Sequence, residues 1–239
     1  ISVITVVLNA KRDFEQTAKS IQAQTYPNVE WVVVDGVSTD GTLDVVEEYK
    51  DCIGQFVSEK DRGFYDAMNK GLHLATGEYV LYINAGDELY APDVLERVFA
   101  GNGDTYDVYY GDTVLTSADE DYRVIGPRDH KLLPKQLTYN NFRYGSVVCH
   151  QSFIARRSLA PEYDLQFPGS SDIDWSLKVL KKTTPERIKN TGLIISKYLV
   201  GGLSHQHRWR YMKERFWISV NHFGFPRAVW DNIVMVLAH

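Results

Sequence analysis

Three polar side chains follow directly on apolar, β-branched runs of this 239-residue chain. Asn9 ends the run from Ser2, Asp35 ends the run from Val29, and Asn84-Ala85-Gly86-Asp87 follows the run Tyr79 to Ile83. Such runs are expected to be buried parallel strands. Ligands of open α/β sheets gather at the carboxyl ends of strands, so these residues are expected to converge on one crevice. A carboxylate there suits a hard divalent cation, Mg²⁺ or Mn²⁺, which takes oxygen ligands and often only one or two from protein. A second acidic group, Asp172 and Asp174, opens a segment of helical spacing in Ser170-Ser171-Asp172-Ile173-Asp174-Trp175. A carboxylate so placed can take a proton from an attacking hydroxyl. Two residues apart on a helix, these two acids point to nearly opposite sides, so only one can face a given ligand.

The elements that must position these groups alternate. Phe14, Ala18 and Ile21 predict a helix between Asp13 and Gln24, and the second strand ends on the turn Gly36 to Gly41. A helix from Thr42 to Tyr49 and a short third strand at Phe56-Val57 follow. Tyr65, Met68, Leu72 and Ala75 share one face of the next helix, which stops before Gly77. This β-α-β-α order predicts a parallel sheet with helices on both faces. The second half is less regular. It offers a strand from Asp107 to Thr116, a polar turn at 119–121, a loop-rich stretch at 127–145, and strand character from Val147 to Ile154. A helix from Asp172 to Lys181 carries Ile173, Leu177 and Leu180 on its apolar face. From Trp209 to Leu237, Trp, Phe and Ile interleave with Arg208, Arg210, Lys213, Arg215 and Arg227. A basic aromatic helix of that kind can lie on an anionic membrane surface or pack against the domain.

Composition removes several classes. The formal net charge of −5 argues against a general nucleic-acid binder. Cys52 and Cys149 are too few for a disulfide framework and match no zinc pattern, so they are expected to be plain packing in a reducing, cytoplasmic setting. No apolar run approaches the roughly 20 residues that span a bilayer. A dinucleotide fingerprint needs GxGxxG after the first strand, where this chain has Asn9-Ala-Lys-Arg-Asp13. Gly36 to Thr42 has the glycine spacing of a phosphate loop but lacks its lysine. What remains is a nucleotide fold that handles diphosphate through a metal and carboxylates.

Four segments make that reading specific: SVITVVLN at 2–9, VVDGVSTDGT at 33–42, SEKDRGFYDAMNKG at 58–71 and ATGEYVLYINAGD at 75–87. In this order and spacing the chain resembles glycosyltransferase family 2, an inverting family, and within it bacterial transferases for capsule, O-antigen and exopolysaccharide units. The resemblance implies the α/β GT-A nucleotide-diphospho-sugar transferase fold, Rossmann-like, with a mostly parallel central sheet. It implies a transferase domain over residues 1–205, with a donor half at 1–90 and an acceptor half at 91–205, and a helical extension at 206–239.

By the same resemblance Asp87 binds the metal, Mn²⁺ or Mg²⁺, while Gly86 stands where the family usually has a first acid. Asn9, Asp35, Asp61, Arg62 and Gly86 are expected around the donor nucleotide, with Asp35 on the uracil ring of a UDP-sugar. Asp40, by contrast, is expected to cap the helix at Thr42. Asp172 matches the catalytic base, with Ser171 in place of a frequent first acid. His150, Gln151 and Asp174 fall on the acceptor side. His205, His207 and Arg208, in Gly201-Gly-Leu-Ser-His-Gln-His207-Arg208, fall on the diphosphate side. The implied partners are a nucleotide-sugar donor and a glycan or lipid-diphosphate-sugar acceptor, with peripheral contact at the inner face of the cytoplasmic membrane. The competing reading is a catalytically impaired sugar-nucleotide or glycan-binding module, marked by Gly86 and Ser171.

Overall fold

In β1 (Ser2–Val7) every residue is buried, as expected of a strand with neighbours on both edges and helices on both faces. This computed structural model describes residues 1–101, 105–119, 122–127, 133–201 and 208–237. β1 pairs in parallel with β2 (Glu30–Asp35) in the register Val7↔Asp35, and with β4 (Tyr79–Tyr82) in the register Ile4↔Tyr82. β3 (Ile53–Ser58) lies outside β2 and is longer than its two-residue apolar signal. The helices between them are α1 (Lys11–Gln22), α2 (Thr42–Glu48) and α3 (Phe64–Leu74).

Further along come β5 (Glu88–Leu89), α4 (Val94–Phe99), β6 (Val108–Thr116), β7 (Val124–Pro127), β8 (Phe153–Arg156), α5 (Ser171–Leu180) and β9 (Ile188–Leu199). The sheet order is β3-β2-β1-β4-β8-β6-β9-β5, with β7 on β6. β1, β2, β3, β4, β6 and β9 run one way, and β5, β7 and β8 run against them. Successive strand residues point to opposite faces. Ile4, Val34 and Tyr82 therefore meet Met68 of α3 and Leu177 of α5. Val3, Val33 and Leu81 meet Phe14 of α1, Val45 of α2 and Leu95 of α4. The expected helices on both faces are present.

Three local expectations change. The strand foreseen over Val147 to Ile154 is a tight turn at His150–Ser152, closed by Ser152 N donating to Cys149 O at 2.9 Å, followed by β8. β8 is antiparallel to β4, in the register Val80↔Ala155, so the turn before it lies alongside the residues after β4. Cys52 is exposed rather than packed, and Cys149 is half-buried.

After residue 207, α6 (Arg208–Phe223) and α7 (Phe225–Leu237) turn about Gly224, whose φ is +84°. This hairpin is fastened to the sheet half through its acids. Glu214 accepts from Gly169 N at 2.8 Å, and Asp231 is bound by Arg143 Nε at 2.8 Å. Asp174 of α5 meets His222 Nε2 at 2.7 Å and Lys178 Nζ at 2.6 Å. The segment read as an extension is thus docked on α5 and on the turn Tyr139–Tyr144.

Candidate functional site

Asn84 to Asp87 leave β4 in a turn closed by Asp87 N donating to Asn84 O at 2.8 Å. Thr17 of α1 holds it, its hydroxyl donating to Asp87 O at 2.7 Å and accepting from Gly86 N at 3.0 Å. Gly86 has φ +97°, a left-handed conformation. A Cβ there would stand 2.6 Å from Leu199 Cδ2 at the end of β9. Any side chain there must adopt the left-handed φ and displace the Leu199 side chain. Gly86→Asp is accordingly expected to destabilise the chain by about 2 kcal/mol, from the φ penalty and the clash together. It should not raise activity; an unchanged unfolding midpoint in urea would refute this account of Gly86.

The Asp87 carboxylate is 5% exposed. Oδ2 accepts from Gln151 Nε2 at 2.9 Å and Oδ1 from Leu199 N at 3.2 Å. Burial pushes its pKa up to about 6, against the hydrogen bond from Gln151 and the field of His150. No cationic side chain pairs with it among the described residues. Nearby, buried Asn84 Oδ1 has no hydrogen-bond partner among them either. A buried carboxylate without a counter-charge and an unpartnered amide oxygen form a hard donor set that fits Mg²⁺ or Mn²⁺. No cluster of three His, Cys, Asp or Glu side chains exists among the described residues.

The amide of Asn84 also starts a second chain. Its Nδ2 donates to His150 Nε2 at 3.2 Å, which places the ring proton on Nδ1, 3.7 Å from Asp172 Oδ2. Tyr65 of α3 donates its hydroxyl to Asp172 Oδ1 at 3.1 Å. Asp172 lies in the first turn of α5, where a carboxylate is favoured by the helix dipole. Burial raises its pKa, but His150, Tyr65 and the Ile173 N–H outweigh that and hold it below the usual carboxylate range. Burial sends the Tyr65 phenol well above its ordinary value, so it stays a donor. Tyr211 and Arg215 of α6 also feel the Asp172 charge, and Arg215 Nη2 is anchored on Tyr144 O at 3.2 Å.

Around Gly36 the loops after β1 and β2 are laced together. Asn9, at φ +49°, accepts from Thr39 N at 2.8 Å through Oδ1. Asp40 caps as expected, taking Thr42 N and Lys11 N at 3.0 Å each. Asp35 is fully buried, and its carboxylate takes Val37 N at 3.0 Å, Ser38 N at 3.1 Å and Ser58 Oγ at 2.5 Å. Those bonds hold the loop from inside. Asp61 instead abuts this loop, its Oδ2 3.0 Å from where a Gly36 Cβ would be, with Lys70 Nζ 2.6 Å from its other oxygen. Arg62 is exposed and folded onto Asp66 at 2.7 Å. Asn69 is tied to Tyr163 O at 3.0 Å.

Of the expected residues, the fold thus brings Gln151 onto Asp87 and His150 onto Asp172, and sets Asn9 and Asp61 beside the Gly36 loop. Asp174 is 2% exposed and bound by His222 and Lys178. His205, His207 and the side chain of Arg208 lie outside the described residues. Tyr65 and Asn84 were missed as site groups. Tyr65 carried a hint, since a tyrosine on a buried helix face needs a partner for its hydroxyl. The Leu199 N–H carried none, because a backbone donor has no residue type.

Fold and site together define an α/β glycosyltransferase of the GT-A kind. The Glycosyl transferase family 2 profile matches residues 2–163, and the chain belongs to that family. It is 35% identical to a PGL/p-HBAD biosynthesis glycosyltransferase of Mycobacterium bovis (strain BCG / Pasteur 1173P2), over 74% of this chain and 68% of the relative. It is 26% identical to TuaG of Bacillus subtilis (strain 168), provisionally named for teichuronic acid biosynthesis, over 96% of this chain and 92% of that one. Among solved structures, S. aureus TarS 1-349 with UDP-GlcNAc superposes at TM-score 0.69 and 20% identity, over 95% of this chain and 68% of that chain. The mannosyltransferase PcManGT of Pyrobaculum calidifontis, with GDP-Man and Mn²⁺, superposes at 0.65 and 19% identity, over 100% and 75%. These two share the fold.

Proposed function

We propose that the chain is an inverting glycosyltransferase that moves a sugar from a UDP-sugar to a hydroxyl of a glycan or lipid-linked acceptor in bacterial surface polysaccharide assembly. The observation that carries this reading is the pair of carboxylates joined across the crevice: Asp87, buried without a counter-charge, and Asp172, held ionised. The named roles of the mycobacterial and Bacillus relatives support the class of acceptor. The nucleotide sugars bound by the two structural matches support the class of donor.

Asp87 and Asn84 would hold a divalent cation together with the donor diphosphate. Once bound, such an ion neutralises the charge on the departing diphosphate. Asp172 accepts the proton of the acceptor hydroxyl while its oxygen attacks the anomeric carbon from the face opposite the breaking bond, which inverts that centre. His150 and Tyr65 fix the direction of the Asp172 carboxylate, and Gln151 with Leu199 N fixes that of Asp87. Asn9, Asp61, Arg62 and the backbone of the Gly36 loop receive the nucleoside. His205, His207 and Arg208 are assigned to the diphosphate.

Nucleotide release from a panel of UDP- and GDP-sugars, with and without Mn²⁺, tests the reading. Metal-dependent release from a UDP-sugar is expected. No turnover of any donor, with UDP affinity unchanged in Asp87→Ala, would establish the binding-module alternative instead.

A further inference from the structure

Three of the five tryptophans of the chain lie on the α6–α7 hairpin, and all three are exposed: Trp209 by 79%, Trp217 by 54% and Trp230 by 62%. The other two, Trp31 and Trp175, are fully buried. At 100° per residue, Trp209, Lys213 and Trp217 follow one another along the side of α6 opposite buried Ile218 and Ser219. On α7, Pro226, Trp230 and Ile233 do the same opposite buried Ala228 and Asp231. Phe216 bridges the two strips, with ring centroids 5.6 Å from Trp217 and 6.1 Å from Phe225. The outer face of the hairpin is therefore aromatic, while the inner face carries its acids. That inverts the usual arrangement of a surface helix, and apolar patches of this sort mark interaction surfaces.

Charge identifies the partner. Residues 208–237 hold five Lys and Arg against two acids, in a chain whose net charge is −5. Both acids, Glu214 and Asp231, are buried. Arg210 Nε reaches Glu214 at 3.0 Å and Arg227 Nε reaches Asp231 at 3.6 Å from the exposed side, so both cations rim the aromatic strip. Lys213 stands within it. Tryptophan is favoured at the bilayer interface, where an apolar ring and a polar N–H are both accommodated, and a basic rim is attracted to anionic headgroups. We infer that the α6–α7 hairpin docks the protein on the surface of an anionic lipid bilayer. It lies on the bilayer without crossing it; no described helix is long and apolar enough to cross.

Truncating the hairpin would be an unsound test, since Asp174, Arg143 and Gly169 N would lose their partners in α6 and α7. Surface substitutions leave those bonds in place. The full chain should co-sediment with phosphatidylcholine vesicles containing phosphatidylglycerol at least about tenfold better than with phosphatidylcholine alone, and salt should weaken the binding. The triple variant W209A/W217A/W230A, with an unchanged unfolding midpoint, should lose most of that binding, and Lys213→Glu should lose part of it. Equal pelleting of native and triple-variant proteins overturns the inference. So does a native protein that ignores vesicles but dimerises through this face, as monomerisation by the triple substitution would show. Both readouts are independent of sugar transfer, so they stand or fall apart from the enzymatic reading.

Discussion

Asp172→Asn should lower the transfer rate by about a thousandfold while leaving UDP binding within a few-fold of native, the size expected when a general base is removed. The expected split between rate and affinity follows from where Asp172 is tied. Its partners are Tyr65 and His150, whereas Asp87 is tied to Gln151 and Leu199 N. Asn at 172 can still accept from Tyr65, so the helix start should survive and the loss should fall on proton transfer. Asp174 provides the control. Asp174→Ala strands His222 and Lys178 and should lower stability by about 3 kcal/mol, as removal of one partner of a buried ion pair does. Below its denaturation midpoint it should retain turnover. The reverse result, an inactive and fully stable Asp174→Ala beside an active Asp172→Asn, moves the base to Asp174. The pH profile separates the two site carboxylates as well. Asp172 is held below the usual carboxylate range, so the stability and activity it contributes are present above about pH 4 and are lost only as pH falls below that. An acid limb nearer 6 would belong to Asp87.

Periodicity makes one part of this site legible and distance in sequence hides the other. Ser2–Val7, Glu30–Asp35 and Tyr79–Tyr82 are apolar on both faces, so their strand character and the polar residues at their ends are open to reading. β9 is the longest strand and carried no such pattern. Most of its residues are half-buried, Gly192 sits in it at φ +66°, and its pairing with β6 shifts register twice. Missing β9 meant missing Leu199, which explains why Gly86 is glycine and supplies the second hydrogen bond to Asp87. The approach of Gln151 to Asp87 likewise depends on β8 entering antiparallel between β4 and β6. No local spacing encodes that insertion, and only resemblance pointed to His150-Gln151. At Asp35 the sequence shows a strand-end acid, but the two backbone N–H groups and the serine hydroxyl that its carboxylate accepts from become visible only in the fold.

Asp87→Asn should abolish metal-dependent donor binding and yet raise the stability of the ligand-free protein. Its pKa is pushed up to about 6 by burial, so the folded state holds the proton more tightly than the unfolded chain does. Stability from this group is complete below about pH 4 and falls as pH rises through 6, a loss of about 3 kcal/mol at neutral pH from the shift alone. An uncharged amide of the same shape removes that penalty but gives back part of it in a weaker bond to Gln151. The melting temperature of the variant should therefore rise by about 4 °C near pH 8, and the gain should vanish near pH 5. In the proposed enzyme a divalent cation and a nucleoside diphosphate would relieve the same penalty. With Asp87 and Asn84 as its protein ligands the ion would be held weakly, so Mn²⁺ and UDP should each stabilise little and the pair much more than their sum. Strong stabilisation by Mn²⁺ alone would require protein ligands beyond Asp87 and Asn84. A variant that melts lower than native at both pH values would make Asp87 a structural anion. The combination expected here, a less stable protein for the sake of a charge that only its ligands neutralise, is what separates a binding carboxylate from a strand-ending turn.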